Sequence, residues 1–396
     1  MKRVAIISPR CHEKLVGGAE ALAWQYADLL KTHYQVDLLT TTASDYVTWA
    51  NDLPPGEELR EGVRIHRFQV ARERGTYFHD LHRRLLARFQ TRHDNPRWLT
   101  WSDALQDEFV RAQGPCSPGL VEHLATRGAQ YCALLFVTYL YPTTVEGVQA
   151  LDHRRWALVP TLHDEALGHF DVIAAMARNA PRLLWNTPAE RRLGARLWGV
   201  ERGELVSMAV ATERHAAHVQ DRPYLLYCGR IDTHKGCAML IEAFADYQRR
   251  KRSNLQLILT GADQLGVRDS EHVRCLGFVE ERRKFELMAG ALAFVHPSAH
   301  ESLSIVLLEA MAQGTPGIVN GQCEVLADHV KDSGSGWIFH DPAQLHAAID
   351  AALAQDAAQR EQQAARARAY VIDNYDCAAV RARLIAEVEA LAASAD

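Results

Sequence analysis

No stretch of this 396-residue chain approaches the about 18 uninterrupted apolar residues that a membrane-spanning helix requires. Its opening, Met1-Lys2-Arg3-Val4-Ala5-Ile6-Ile7-Ser8-Pro9, holds an apolar run of four residues, too short for the core of a secretory leader. Membrane spanning and secretion are both disfavoured, and a cytoplasmic location is expected. The eight cysteines include no Cys-x-x-Cys pair, which speaks against a disulfide framework and for reduced, mostly packed thiols. Metal-ligand patterns are missing too, because no His-x-x-x-His or Asp-x-Asp arrangement has supporting ligands around it. Neither Gly-x-Ser-x-Gly nor a Walker lysine motif occurs, so serine-hydrolase and P-loop chemistry are not indicated. With a formal net charge of -5, the chain as a whole offers nothing to a polyanion, and nucleic acid is not an expected partner. Internal repeats and low-complexity tracts are absent as well. Oligomeric state leaves no trace in the sequence.

At 48% hydrophobic and 23% charged residues the composition is that of an ordinary globular protein. The length exceeds one compact core and points to two domains. Short apolar runs rich in branched residues alternate with helix-length segments at 4–7, 36–39, 133–137, 157–162 and 183–185, and again at 224–229, 255–260, 273–276, 292–295 and 316–319. Strands covered by helices on both faces read as continuous apolar runs of this kind, so two successive doubly wound α/β sheets are predicted. Ala211 to Pro223 carries no strand pattern and is the expected linker. The first Rossmann-like domain accordingly spans 1–212 and the second 213–375, with a final amphipathic helix at 376–396 expected to pack back on the first.

Residues 60 to 97 break the alternation with ten arginines against four acids. Leu81, Leu85, Leu86 and Phe89 fall at helical spacing, while Arg83, Arg84, Arg88 and Arg92 fall elsewhere on the same helix. That pattern describes a surface for an anionic acceptor or anionic lipid headgroups, and equally a solvated helix face.

Four loops carry candidate chemistry. Gly17-Gly18-Ala19-Glu20 opens a helix after the first strand. Paired glycines there let backbone N–H groups approach a phosphate, although a plain turn has the same composition. In Cys228-Gly229-Arg230-Ile231-Asp232-Thr233-His234-Lys235-Gly236, Arg230 and Lys235 can converge on one diphosphate without a metal ion; a basic surface loop is the alternative. From Ile305 to Met311 everything is apolar except Glu309, so this carboxylate needs a partner, and a ligand hydroxyl is one candidate. If Ser302 and Glu309 share a helix, their spacing is two turns, about 10.5 Å, which would suit a phosphate at the helix start and a ribose near Glu309. An N-cap and a satisfied core glutamate would account for the same residues. Finally, Pro160-Thr161-Leu162-His163-Asp164-Glu165 ends a strand of the first half, where a histidine beside acids suits either a reacting sugar or an exposed cap.

Taken together, Gly17-Gly18-Ala19-Glu20, His163-Asp164, Gly229-Arg230 with Lys235-Gly236, Leu276-Gly277-Phe278-Val279, and Glu301 through Glu309 followed by Ala310-Met311-Ala312-x-Gly314-x-Pro316 resemble a family 4 retaining glycosyltransferase of the GT-B fold. Asn186-Thr187-Pro188-Ala189-Glu190-Arg191 and Asn320-Gly321-Gln322-Cys323-Glu324-Val325-Leu326 look similar to bacterial members that build surface polysaccharides. The resemblance implies two Rossmann-like domains facing a central cleft and no cofactor. A GDP- or UDP-linked hexose would be held mainly by the second domain, with a glycan or lipid-linked acceptor on the first. By the same resemblance Arg230 and Lys235 would neutralise the diphosphate, Glu309 would bind ribose, and Phe278-Val279 would flank the base. Glu301 would hold hydroxyls of the transferred sugar, with backbone amides of Ser302, Leu303, Ser304 and Ile305 at sugar and phosphate. His163, with Asp164, would lie against the sugar, and Gly17-Gly18 near the phosphates. Arg83, Arg84 and Arg88 would face the acceptor or an anionic membrane. Ser302-Leu303-Ser304 stands where many members have Gly-Phe-Gly. A nucleotide-sugar epimerase or hydrolase of the same fold, and a non-catalytic nucleotide-sugar binder, are the alternatives.

Overall fold

The computed structural model describes residues 1–12, 17–95 and 97–394. The chain divides into two units, Met1–Met208 with Arg381–Asp396, and Ala209–Val380.

The first unit is built on strands β1 (Arg3–Ile7), β2 (Gln35–Thr41), β3 (Gly56–Arg60), β4 (Val63–Phe68), β5 (Ala133–Val137), β6 (Trp156–Val159), β7 (Arg182–Trp185) and β8 (Glu204–Leu205). They lie in the order β3-β4-β2-β1-β5-β6-β7-β8, with every pair parallel except the edge hairpin β3–β4. Val4, Ile6, Leu134 and Phe136 are fully buried, as central strands covered on both faces must be. Strand order reverses between β1 and β5, and the loops leaving their carboxyl ends diverge there to open a crevice.

The second unit repeats the plan with β9 (Tyr224–Cys228), β10 (Gln256–Thr260), β11 (Val273–Cys275), β12 (Ala293–His296), β13 (Gly317–Asn320) and β14 (Gly336–Phe339). Its order β11-β10-β9-β12-β13-β14 is the dinucleotide-fold order 3-2-1-4-5-6, and its reversal falls between β9 and β12. The helix Cys377–Ala393 begins in the second unit and ends in the first. There Arg383 donates to the Val206 carbonyl at 3.2 Å and Glu387 accepts from Arg182 at 3.3 Å.

Within the arginine-rich segment, Arg60, Arg64 and Arg67 lie in the β3–β4 hairpin, whose charged, largely exposed outer strand β3 suits a sheet edge. The helix Thr76–Gln90 buries Phe78, Leu81 and Leu85, and Phe89 meets Trp98 edge-on at 5.3 Å. Leu81, Leu85 and Phe89 of its apolar stripe therefore belong to the core or pack against it, whereas Leu86 is exposed along with Arg83, Arg84 and Arg88.

Candidate functional site

The crevice of the second unit is lined by the loops leaving β9 and β12. Gly236 takes φ +75, and a Cβ there would lie 2.6 Å from the Pro297 carbonyl oxygen; only glycine lets the two loops come this close. Buried Asp232 accepts the Lys235 backbone N–H at 2.7 Å and stands 3.7 Å from Arg230. Lys235 Nζ donates to Glu301 Oε1 at 2.6 Å, and the same carboxylate oxygen is 3.6 Å from His296 Nε2. Burial pushes the His296 imidazole down to about 4 against the opposing pull of Glu301, so it is neutral at pH 7. Arg230, Lys235 and Glu301 thus gather at the strand-order reversal, with Arg230 exposed. His296, the last residue of β12, is the member of this group that sequence reasoning missed; its place directly after an apolar run and before Pro297 was the available signal.

Ser302 and Glu309 do not share a helix. Ser304 sits in the left-handed region at φ +64 and the helix runs Ile305–Ala312, so Glu301 to Ser304 form a loop and the two-turn spacing does not apply. The Leu303 side chain is buried, and its carbonyl accepts from His329 Nε2 at 2.8 Å. A carbonyl can only accept, so His329 Nδ1 is left to accept from the Tyr370 hydroxyl at 2.9 Å. Ser304 is buried with its hydroxyl unpartnered, next to the half-buried Ser302 and Ile305. Glu309 takes Lys284 Nζ on Oε1 at 2.8 Å, while buried Oε2 has no partner among the described residues. Burial raises its pKa, with Lys284 opposing. Half of this carboxylate therefore remains available to a ligand hydroxyl. Phe278 follows Gly277 (φ +65) and is 85% exposed, and Val279 beside it is half-buried.

In the first unit Gly17 caps the helix Gly18–Leu30. A Cβ on Gly17 would displace only the end of the Glu20 side chain and one on Gly18 would meet nothing within 4 Å, so neither position sterically requires glycine. Glu20 is in turn held by Arg10 at 2.5 Å. His163 is exposed on the loop after β6. Its neighbour Asp164 faces His169 at 2.8 Å and Arg92 at 3.6 Å, and the hydrogen bond with His169 first, with Arg92 behind it, holds its carboxyl below the usual range.

What fixes this loop is Glu190, whose importance the sequence reading missed. It is 2% exposed and accepts the backbone N–H groups of Leu162 at 2.7 Å, Asn186 at 2.6 Å, and Thr187. Burial pushes its carboxyl up to about 7 against those donors. One side chain thereby ties the ends of β6 and β7 together immediately before His163. Thr161 in the same loop sits at φ +56, a costly conformation for a β-branched residue.

Residues 211–370 match the family model "Glycosyl transferases group 1". This matched stretch contains every crevice residue of the second unit named above. An uncharacterised glycosyltransferase of Methanocaldococcus jannaschii is 22% identical over 384 residues, covering 89% of each chain. The lipopolysaccharide glucosyltransferase WaaG of Escherichia coli is 32% identical over 144 residues, 33% of this chain and 37% of its own. The Mycobacterium tuberculosis phosphatidyl-myo-inositol mannosyltransferase is 28% identical over 246 residues, 59% and 62% of the respective chains. Among solved structures, sucrose-phosphate synthase from Thermosynechococcus elongatus superposes with a TM-score of 0.69 at 19% identity over 100% of both chains. WaaG superposes with 0.60 at 17% identity over 96% of this chain and 98% of its own. The fold is GT-B, and a nucleotide-sugar glycosyltransferase is the activity class these matches support.

Proposed function

We propose that the protein is a retaining, metal-independent glycosyltransferase of family 4. It moves a hexose from a UDP- or GDP-linked donor to a glycan or lipid-linked acceptor, in bacterial cell-surface polysaccharide synthesis. The observation that carries this reading is the Lys235–Glu301 pair at the strand-order reversal of the second unit, on the same loop as the exposed Arg230. A sugar that departs as an oxocarbenium-like species leaves growing negative charge on its diphosphate. Fixed cations there stabilise the transition state more than the ground state, which is the term that accelerates transfer. Arg230 and Lys235 supply that charge without a metal. Glu301 holds hydroxyls of the transferred sugar, Glu309 Oε2 accepts from a ribose hydroxyl, and Phe278 and Val279 flank the base. Backbone amides of Ser302 to Ile305 lie at the sugar and phosphate. Gly17 and Gly18 approach the phosphates, and His163, steadied by Glu190 and flanked by Asp164, contacts the sugar. The activities for which the lipopolysaccharide and phosphatidyl-inositol relatives are named support the acceptor class, and neighbours solved with UDP-2-fluoro glucose and with UDP and glucose support the donor.

Proton NMR of the anomeric centre tests the reaction. Product that forms only with acceptor and keeps the donor configuration supports transfer with retention; epimer or free sugar from donor alone would replace it with epimerase or hydrolase chemistry. Glu309→Gln, which loses one acceptor oxygen, is expected to weaken nucleoside diphosphate binding about tenfold, read by calorimetry, with little change for the matching 2′,3′-dideoxynucleotide.

Among the described residues no helix is long and apolar enough to cross a membrane. The proposed cytoplasmic protein meets the inner membrane face through Arg83, Arg84 and Arg88, chiefly by charge because Leu81 and Leu85 on the same helix are buried and only Leu86 is exposed. Co-sedimentation with vesicles should therefore require anionic lipid and fall away between 50 and 500 mM salt, roughly as the Debye length shrinks. Binding indifferent to both would remove the membrane from the account.

A further inference from the structure

We propose that the first unit carries an oxyanion site, formed by Arg74 and Tyr141 around Trp49, which takes the phosphoryl or carboxylate group of the acceptor. The ligand's role as acceptor rests on the transferase reading; binding of the anion does not.

The residues come from neighbouring parallel strands. Arg74 follows β4, Tyr46 and Trp49 follow β2, Arg10 follows β1 and Tyr141 follows β5, so all lie past carboxyl ends flanking the strand-order reversal. Arg74 is locked in place. Its Nε donates to the Gln113 carbonyl at 2.8 Å, which also accepts from Trp49 Nε1 at 2.7 Å. Its guanidinium carbon lies 4.3 Å from the centre of the Phe78 ring and 5.3 Å from that of Trp49. Its two terminal nitrogens have no partner among the described residues, and burial lowers its pKa against the weaker opposing pull of Tyr141, Asp45 and Tyr46.

The acids nearby are already engaged. Asp45, the carboxylate acting on Arg74, accepts the N–H groups of Val47 and Thr48 at 3.0 and 2.7 Å and the Thr48 hydroxyl at 2.8 Å. Glu20 is paired with Arg10, and Glu165 accepts from Tyr139 at 2.7 Å. Tyr141 stands edge-on to Trp49 at 5.4 Å, and its hydroxyl also lacks a partner among the described residues. Trp49 itself is held at φ +60, strain of the kind that persists at ligand sites. A planar guanidinium fork and a phenol match the oxygens of a phosphoryl or carboxylate group; neutral sugar hydroxyls would leave the cation uncompensated.

The test is calorimetric titration with inorganic phosphate and, separately, glucuronate, at constant ionic strength. An Arg230→Ala/Lys235→Ala background removes the second unit's phosphate groups from the reading. Saturable binding is expected there. Adding Arg74→Gln should weaken it about tenfold or more, and Tyr141→Phe, which keeps the packing on Trp49, a few-fold. Phosphate alone would identify a phosphoryl acceptor, and glucuronate alone a carboxylate one. No saturable binding of either, or unchanged affinity in both variants with their melting temperatures retained, overturns the site. Because no transfer is measured, this outcome is separate from the fate of the transferase reading.

Discussion

Lys235→Ala is expected to lower kcat/KM about 10²- to 10³-fold, the usual effect of losing one preorganised group aimed at developing charge. Lys235 Nζ is 2.6 Å from Glu301, so the substitution also leaves a mostly buried carboxylate beside the neutral His296. Glu301→Gln separates the two consequences. It frees Lys235 for the diphosphate, so nucleoside diphosphate affinity should hold or rise, while kcat falls because the sugar loses its acceptor. A steady-state kcat and KM comparison checks both; equal loss of nucleotide affinity in the two variants would mean that the pair serves only to hold the loops.

Glu190→Gln is expected to cost about 10- to 100-fold in kcat, the scale on which a small displacement of a reacting group is felt, with the donor KM little changed. An amide cannot accept on both arms, so the N–H of Leu162 or of Asn186 would face an NH₂ group and the His163 loop would shift. Stability should behave oppositely to a simple core defect. Burial raises the Glu190 pKa from 4.5 to about 7. The wild-type fold therefore has this group's full contribution below pH 4.5 and loses it as pH rises through 7, by at most about 3 kcal/mol. The variant has no such dependence, so its melting temperature relative to wild type should improve from pH 5 to pH 8 while its activity stays low. Parallel melting curves across that range would show that Glu190 is not protonated in the native state near neutrality.

The central strands were legible because parallel sheets buried on both faces read as unbroken apolar runs, as at Val4 to Ile7 and Ala133 to Val137. β4 was not, since Arg64, His66 and Arg67 interrupt its apolar residues and make it look like part of a basic segment. The loop after β9 could be found from Gly229, Arg230, Lys235 and Gly236 because its glycines take positive φ that other residues rarely adopt. Glu190 follows Thr187 by three residues and so reads as an ordinary helix cap; its bond to Leu162 exists because β6 and β7 are neighbours in space. Lys284 meets Glu309 across two helices, and Ser304 breaks the expected helix through its backbone angle. Neither is a property of spacing along the chain.

The central claim is that the loops after β9 and β12 hold a nucleotide-diphosphate sugar. Thermal unfolding of the wild type and Lys235→Ala with a panel of UDP-, GDP- and ADP-hexoses tests it most directly. At 100 times its dissociation constant the true donor should add about 2.7 kcal/mol of stability to the wild type and far less to the variant. A panel that shifts neither protein, or shifts both equally, would contradict it.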